Sequence, residues 1–98
     1  MVLEVADIRV SPGAAEAFRE AYRRARHWLA GTDGCRSVRM TQSIESPSRF
    51  VLLVEWDSVE AHEQNFRQTD RWVQWRAALG PHFAEPPFIE HAEDVQDV

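Results

Sequence analysis

Residues 49–56, RFVLLVEW, restrict the folds open to this chain because the run is apolar on both of its faces as a strand. Side chains alternate between the two faces of a sheet, so both faces here have to be covered. Helices of a 98-residue chain can cover only one face. We therefore expect a second copy of the chain to cover the other. The apolar residues divide as Phe50, Leu52 and Val54 on one face and Val51 and Leu53 on the other.

The residues before this strand carry two further strand patterns and one helix pattern. Residues 2–10 alternate and predict a strand with one wetter face. In residues 11–31 apolar side chains recur at three-four spacing, which predicts an amphipathic helix that Ser11 and Pro12 begin and Gly31 ends. Residues 35–45 predict a second strand. The inward positions of the first strand are Ala6, Ile8 and Val10, and the apolar stripe of the helix is Ala15, Phe18, Tyr22, Ala25 and Leu29.

The second half of the chain predicts an interrupted helix and a last strand. Asp57 or Ser58 can cap the helix, which breaks near residues 67–70 and ends at Gly80 and Pro81. Thr69 or Asp70 restarts the helix after the break. Residues 88–95 predict the fourth strand. The order βαββαβ is typical of the ferredoxin-like α+β fold, a four-stranded antiparallel sheet with both helices on one side. We expect a single domain over residues 1–98, since domains run from about 50 to 200 residues.

Composition disfavours several classes of partner. The formal net charge is −5 and the arginines are spread through the chain, so nucleic acid and anionic membrane surfaces are not expected partners. No apolar run approaches the roughly 20 residues that span a bilayer, and residues 1–10 alternate like a strand, unlike a signal peptide. A cytoplasmic location is expected. The single cysteine, Cys35, is interpreted as a small strand hydrophobe.

Standard cofactor and metal motifs are absent from the sequence. There is no G-x-G-x-x-G, P-loop or C-x-x-C, which removes support for nucleotide and disulfide-redox chemistry. The segment HEQNF, residues 62–66, begins like a zinc-protease motif but has Phe66 at the position of the second ligand. His82, Glu85 and His91 lack known ligand spacing and are interpreted as solvated surface residues. We therefore predict neither a cofactor nor a metal.

Aromatic residues are concentrated in the second half of the chain, and the chain has four tryptophans. Aromatic residues at helical spacing usually form core. A flat apolar slot between sheet and helices, with one imidazole and one guanidinium, would also suit a planar aromatic ligand. His62 lies one helical turn from Phe66, so both are expected to face inward if either does. Arg76 lies beside the apolar stripe of the last helix and could instead reach water.

The sequence resembles the antibiotic biosynthesis monooxygenase family of dimeric α+β barrels over nearly its whole length. The matching stretches are ADIRVSPG before the first helix, GTDGCRSVRM at the second strand, VEWDSVEAHEQNF at the strand-helix joint and RAALGPHFAEPP after the last helix. The resemblance implies a ferredoxin-like fold and a homodimer. It implies activity less directly, because this fold carries monooxygenases, haem-degrading enzymes, isomerases and proteins without known activity.

The resemblance is strongest to enzymes that oxidise polyketide phenols or anthrones to quinones without a cofactor. Trp56 matches their tryptophan at the end of the third strand, His62 replaces an aromatic hydroxyl, and Arg76 matches an arginine of the last helix. Leu52 departs from the pattern, because those enzymes carry there an asparagine that binds substrate oxygen or a peroxide intermediate. The haem-degrading branch fits worse, since it needs a histidine in the last helix and a tryptophan near Asn65.

Three interpretations remain open at the level of sequence. In the first, the protein is a monooxygenase that converts a phenolic, anthrone or hydroquinone-type aromatic to a quinone with O2. His62 then takes the phenolic proton, Arg76 stabilises the phenolate, and Trp56 offers its indole N–H to bound oxygen. In the second, the protein binds an aromatic metabolite without catalysis or serves as an accessory protein of a biosynthetic pathway, which Leu52 favours. In the third, the role of the residues is purely structural: Trp56 fills the core, and His62 and Arg76 reach solvent.

The expected partners are a small aromatic substrate, O2 and a second copy of the chain. His91, in the last predicted strand, is an alternative to His62 as the base. The substrate-binding residues are predicted to be Leu52, Phe66, Trp72, Trp75, Tyr22 and His91.

Overall fold

A computed structural model describes residues 1–96 of the chain as a four-stranded antiparallel sheet with helices packed on one face. This confirms the predicted ferredoxin-like α+β fold, and the sheet order is β2-β3-β1-β4. Residues 97 and 98, which the single-domain prediction included, lie outside the described part. No helix within residues 1–96 is long and apolar enough to cross a membrane. The elements are β1 (Val2–Arg9), α1 (Ala15–Ala30), β2 (Cys35–Gln42), β3 (Arg49–Trp56), α2 (Val59–His62), α3 (Asp70–Leu79) and β4 (Phe88–Ala92).

The two faces of the sheet differ sharply in burial. Every second residue of β3, from Phe50 to Trp56, is buried against the helices, while the alternate residues Val51 and Leu53 stay partly exposed. Directly paired residues share a face, so the register of β1 on β3 places Ala6 beside Leu52 on the inner face. Phe18 and Leu29 of α1 and Leu79 of α3 complete the core. One face of the two-sided apolar strand is thus left without a cover from its own chain.

Four predicted boundaries are wrong. The first strand ends at Arg9, one residue early, and the fourth ends at Ala92 and not at residue 95. The first helix begins at Ala15, after Ala14 as its N-cap, and not at Ser11 and Pro12. Those residues form a turn in which the Ala14 amide donates to the Ser11 carbonyl oxygen at 2.9 Å and Gly13 has a φ of +82°. A left-handed residue cannot continue a helix, so the helix starts only after it. The second strand ends at Gln42 and not at residue 45, because a turn follows.

The joint between β3 and α2 is closed by local hydrogen bonds. Ser58 is the cap, and its hydroxyl oxygen accepts the Ala61 amide N–H at 3.1 Å, while Asp57 instead pairs with Arg36. Gly34, with a φ of +90°, lies so close to α2 that a Cβ there would stand 2.7 Å from that of Ala61. The turn before β2 therefore clamps the start of α2 against the end of β3.

The predicted break in the second helix has a specific form. The four-residue α2 passes directly into a π-helical turn, Glu63–Arg67, and α3 restarts after Thr69 as its N-cap. The Thr69 hydroxyl donates back to the carbonyl oxygen of Phe66 at 2.7 Å and makes no capping bond to α3. A π-helical turn adds one residue to the helical ring. The side chains after it are consequently rotated relative to an uninterrupted helix.

Candidate functional site

A cavity of about 310 Å³ lies between the inner face of the sheet and α3. This volume is at the lower end of the range of pockets that hold small organic ligands. Trp72 and Trp75 of α3 form an aromatic wall, and Pro86 and Pro87 contribute from the loop before β4. The aliphatic and phenyl lining comes from Ala6, Ile8, Leu52, Leu79, Phe83 and Ile89. The cavity is thus a mostly apolar slot with an aromatic side.

Three ionisable residues line this slot, namely Glu4, Arg67 and Arg76. Glu4 lies on the inner face of β1 and is only 4 % exposed. The guanidinium of Arg67 lies 5.8 Å from the ring centroid of Trp72, and that of Arg76 lies 5.5 Å from that of Phe83. Aromatic faces attract cations at such distances. A buried carboxyl group therefore faces the same space as two guanidinium groups.

The carboxylate of Glu4 accepts one ring N–H and lies close to a second ring nitrogen. The indole Nε1–H of Trp56 donates to Glu4 Oε1 at 3.0 Å, and Nε2 of His62 lies 3.3 Å from the same oxygen. Burial raises the pKa of Glu4 from 4.5 to about 6, although the hydrogen bond from Trp56 and the charge of Arg67 oppose the rise. A carboxyl group with this pKa exchanges protons close to neutral pH, which suits a general base.

His62 is buried behind Glu4 within a stack of rings. Its imidazole is 1 % exposed, lies 4.9 Å from the ring of Trp56 at an interplanar angle of 18°, and lies 6.3 Å from that of Phe66. Its Nδ1 is 2.8 Å from Nε2 of His91. Burial, with the charges of His91 and Arg67, lowers the pKa of His62 to about 4. The ring is therefore neutral at pH 7.

A neutral imidazole has one donor and one acceptor nitrogen, and the surroundings of His62 determine which is which. With Glu4 ionised, a proton on Nε2 of His62 faces the carboxylate, and Nδ1 of His62 accepts the Nε2–H of His91. This tautomer matches both ring nitrogens of His62 to their neighbours. Polar atoms thus lead from the partly exposed His91 through His62 to Glu4 and the cavity, joined by a hydrogen bond between the two imidazoles and by a 3.3 Å approach of His62 to Glu4.

Four of the predicted site residues line the cavity: Leu52, Trp72, Trp75 and Arg76. The other five do not line it. Trp56, His62 and Phe66 form a buried aromatic layer behind Glu4, because inward-facing residues at the end of β3 are covered by α2 and the π-helical turn, and the partly exposed His91 lies edge-on to His62. Tyr22 packs edge-on against Trp75, with ring centroids 6.2 Å apart, and its hydroxyl-bearing ring belongs to another surface depression.

The indole of Trp56 also has a different partner from the predicted one. Its N–H donates to Glu4 and is not available for bound oxygen. The expectation that His62 and Phe66 point inward together is confirmed, since they are 1 % and 3 % exposed.

Two charged residues of the cavity, Glu4 and Arg67, were not among the site residues predicted from the sequence. Glu4 lies two positions before Ala6 in the same alternating strand, so the sequence pattern places its side chain on the inward face. An acidic residue at an inward position could have been identified as a candidate site residue. Arg67 follows the π-helical turn, and a 3.6-residue period cannot give the direction of a side chain beyond such a turn.

Within residues 1–96, one group of three side chains brings potential metal ligands together: His62, Glu63 and His91 lie with ligand atoms within 4.8 Å of one another. It differs from the set of His82, Glu85 and His91 that the sequence suggested. The two imidazole nitrogens of this group are 2.8 Å apart, which is a hydrogen bond with a shared proton. A metal would require both nitrogens to be free of that proton, so the arrangement corresponds to a hydrogen-bonded path.

Comparison with known proteins gives consistent results. The family model described as antibiotic biosynthesis monooxygenase matches residues 1–78. The uncharacterised protein YczJ of Bacillus subtilis (strain 168) is 30% identical over 95 residues, covering 97% of this chain and 100% of that protein. A Bordetella bronchiseptica protein classed with the antibiotic biosynthesis monooxygenases has a crystal structure that superposes with a TM-score of 0.91 at 37% identity, covering 96% of both chains. A similarly classed protein from Nitrosomonas europaea shares the fold, with a TM-score of 0.82 and 23% identity, covering 97% of this chain and 99% of that chain.

Proposed function

This chain belongs to the antibiotic biosynthesis monooxygenase family, and from that premise we propose that it oxidises a phenolic, anthrone or hydroquinone-type aromatic to a quinone with O2 and without a bound cofactor. The observation that carries the proposal is the position of Glu4, a buried carboxyl group with a pKa of about 6 that lines an aromatic slot. In this proposal residues 1–98 act as one domain, and the substrate ring lies against Trp72 and Trp75.

The first step is removal of a proton from the substrate. The phenolic O–H transfers its proton to a carboxylate oxygen of Glu4, and the electron pair stays on the substrate as a phenolate. Arg76 stabilises this negative charge from the wall of the cavity. Because Arg76 is itself exposed, the substrate ring has to displace water from the slot before the attraction between guanidinium and phenolate is strengthened. The carboxylate replaces His62 in the role of base, because His62 is buried away from the cavity and its pKa of about 4 makes it a weak base.

The substrate anion then reacts with O2 directly. It donates an electron to O2, and the ring carbon and an oxygen atom join to form a peroxide. A base removes the hydrogen of that carbon, the O–O bond breaks, and the ring carbon becomes a carbonyl. The departing oxygen takes up protons and leaves as water. One oxygen atom thus enters the quinone and the other enters water, so a phenol and O2 give a quinone and H2O. A hydroquinone gives a hydroxyquinone with the same balance.

The layer behind the cavity has a positioning role in this proposal. Trp56 and His62 each present an N–H to Glu4, which fixes the carboxylate and leaves its second oxygen for the substrate. His91 is partly exposed and hydrogen-bonded to His62, so it connects the buried carboxyl group to solvent. Through this connection the proton that Glu4 accepts from the substrate can leave to solvent. The aromatic residues predicted to bind substrate thus support the base.

A second function, binding of an aromatic metabolite without catalysis, is favoured by one residue. Leu52 is 3 % exposed and lines the cavity. An isobutyl group offers no hydrogen bond to a peroxide or to a substrate oxygen. If catalysis requires an amide at this position, the same slot would bind the ring and leave it unchanged.

Oxygen uptake tests the two functions against each other. We expect the purified protein, without added flavin or metal, to consume one O2 for each quinone formed from anthrone or a naphthol, measured with an oxygen electrode and by quinone absorbance. Protein stripped with a chelator should retain the rate. Quenching of tryptophan fluorescence by these compounds without any oxygen uptake would refute the monooxygenase proposal and favour the binder.

We also propose that two copies of the chain pair through the uncovered face of the sheet. This face presents Leu3 and Val5 of β1, Val51 and Leu53 of β3, and the 62 % exposed Phe88 of β4. Burial of such an apolar face is favourable at roughly 25 cal/mol per Å². The ion pair of Asp7 with Arg49 on the same face gives it polar edges.

The prediction is a dimer in sedimentation velocity at micromolar concentration and a monomer for Val5→Glu, because the new carboxylate would be buried beside Glu90, its cross-strand neighbour of like charge. Val73→Glu is the matched control, since Val73 is 51 % exposed on the helical side. A wild-type protein that sediments as a folded monomer would refute the pairing.

A further inference from the structure

All eleven Lys and Arg positions of the chain are arginines. Two of these arginines, Arg67 and Arg76, differ from the others because they line the cavity without an ion pair or hydrogen bond in the described part of the chain. Within residues 1–96, Arg39, Arg67 and Arg76 are the arginines whose guanidinium has no ion pair or hydrogen bond. Arg39 lies on the uncovered sheet face, opposite Leu53. Arg67 and Arg76 line the same cavity. The other arginines bond to carboxylate, amide or backbone oxygens, namely Arg9, Arg19, Arg23, Arg24, Arg26, Arg36, Arg49 and Arg71.

Both guanidinium groups of the cavity rest on aromatic rings, Arg67 on Trp72 and Arg76 on Phe83. An aromatic face attracts a guanidinium but leaves its N–H donors, which lie in the plane of the guanidinium, free to bind other groups. These two arginines therefore keep their full capacity to bind an oxyanion. Arg67 acts within the cavity, since its charge lowers the pKa of Glu4 on the opposite side.

The charge of the cavity contrasts with that of the whole protein. The formal net charge of the chain is −5, whereas the cavity lining carries two positive charges against the single carboxyl group of Glu4. A phenol that reacts through one oxygen requires one cation near that oxygen. A second unpaired guanidinium has no task in the proposed reaction, and Arg67 and Arg76 are both exposed and thus accessible to a ligand anion.

We propose that the ligand of this cavity is an aromatic carboxylate, whose ring lies against Trp72 and Trp75 and whose carboxylate binds Arg67. Guanidinium and carboxylate form paired, charge-assisted hydrogen bonds, which are about twice as strong as neutral ones. The reacting phenolic oxygen then lies between Arg76 and Glu4. The oxidation of such a ligand rests on the proposed function, but the preference for an anion does not.

The experiment compares two ring-matched ligands that cannot be oxidised, 2-naphthoate and 2-naphthamide, by quenching of tryptophan fluorescence at pH 7.5. Wild-type protein should bind 2-naphthoate on the order of tenfold more tightly. Arg67→Gln should remove most of this preference by weakening 2-naphthoate alone, and Arg67→Lys should restore part of it. Arg24→Gln, an exposed arginine of α1 paired with Glu20, should leave it unchanged.

Equal affinity of the wild-type protein for the two ligands, or an unchanged preference in Arg67→Gln, would overturn the proposal. High salt should reduce the preference, because it screens the attraction of an exposed guanidinium. The assay measures binding alone, so failed oxygen uptake with a retained preference would refute only the monooxygenase. Oxygen uptake without any preference for 2-naphthoate over 2-naphthamide would refute only the proposal that the ligand carries a carboxylate.

Discussion

Replacement of Glu4 by glutamine is expected to reduce turnover of a phenolic substrate by roughly 10²–10⁴-fold, the usual contribution of a general base. The glutamine oxygen can still accept the indole N–H of Trp56, so the cavity should keep its shape. Affinity for 2-naphthamide should therefore stay near that of the wild type. Glu16→Gln is the matched control, because Glu16 is an exposed carboxylate in the first turn of α1. Full activity of Glu4→Gln would exclude Glu4 as the base.

The pH dependence of the same variant gives a second measure of its role. The base works only when it is ionised, so kcat/KM of the wild type should rise with pH through about 6 and level off above it. The variant should lack this rise.

The free energy of unfolding should change with pH in the opposite direction to kcat/KM. The folded pKa of Glu4 lies above the ordinary value of 4.5, so the contribution of Glu4 is present below that pH and is lost as pH rises through about 6. The wild type should lose about 2 kcal/mol relative to Glu4→Gln between pH 4 and pH 8, measured by urea unfolding. His62 is present in both proteins, and its own titration cancels to first order in this comparison.

Replacement of Trp56 by alanine is expected to cost about 3–5 kcal/mol of unfolding free energy, the typical cost of deleting a buried large aromatic side chain. The indole is 0 % exposed, stacks on His62 and donates to Glu4. Trp72→Ala is the matched control, because Trp72 is only partly buried in the cavity wall and should cost clearly less. Denaturant unfolding measures both variants, and equal losses would contradict the assigned role of Trp56 in the core.

The conservative variant Trp56→Phe separates packing from hydrogen bonding at the same position. Phenylalanine keeps an aromatic ring but has no N–H for Glu4. Because that hydrogen bond lowers the pKa of Glu4, its loss should move the rise of kcat/KM to a pH above 6. A purely structural role for Trp56 would leave the midpoint in place.

Much of the fold could be predicted because its signals are local. The limits of β3 match the prediction, since a strand that is apolar on both faces has few alternatives. Ser58 and Thr69 mark helix starts that a capping pattern indicates. The start of α1 was misplaced because the pattern of Ser11 and Pro12 fits a helix cap and a turn equally well, and the left-handed Gly13 decides between them.

The site was predicted less completely, because periodicity gives the face of a residue but not its depth. Trp56 and His62 face inward as expected, yet they lie one layer behind the cavity surface. Glu4 becomes a candidate base only when burial raises its pKa, and burial depends on β3 and α2 together. Arg67 depends on the π-helical turn, which no amphipathic pattern reveals.

The short strand β4 contributes both to the cavity and to the polar groups behind it. Among residues 1–96 this five-residue strand pairs only with β1, yet it supplies Ile89 to the cavity lining and His91 to the line of polar groups that ends at Glu4. Segments with few buried side chains open by local unfolding while the rest of a domain stays folded, and four of the five residues of β4 are exposed. Each such opening would widen the slot and cut the proton path in one event. Under the proposed function, entry of a ligand and loss of the base would thus be parts of a single fluctuation, and a ligand that seals β4 against β1 would restore the base.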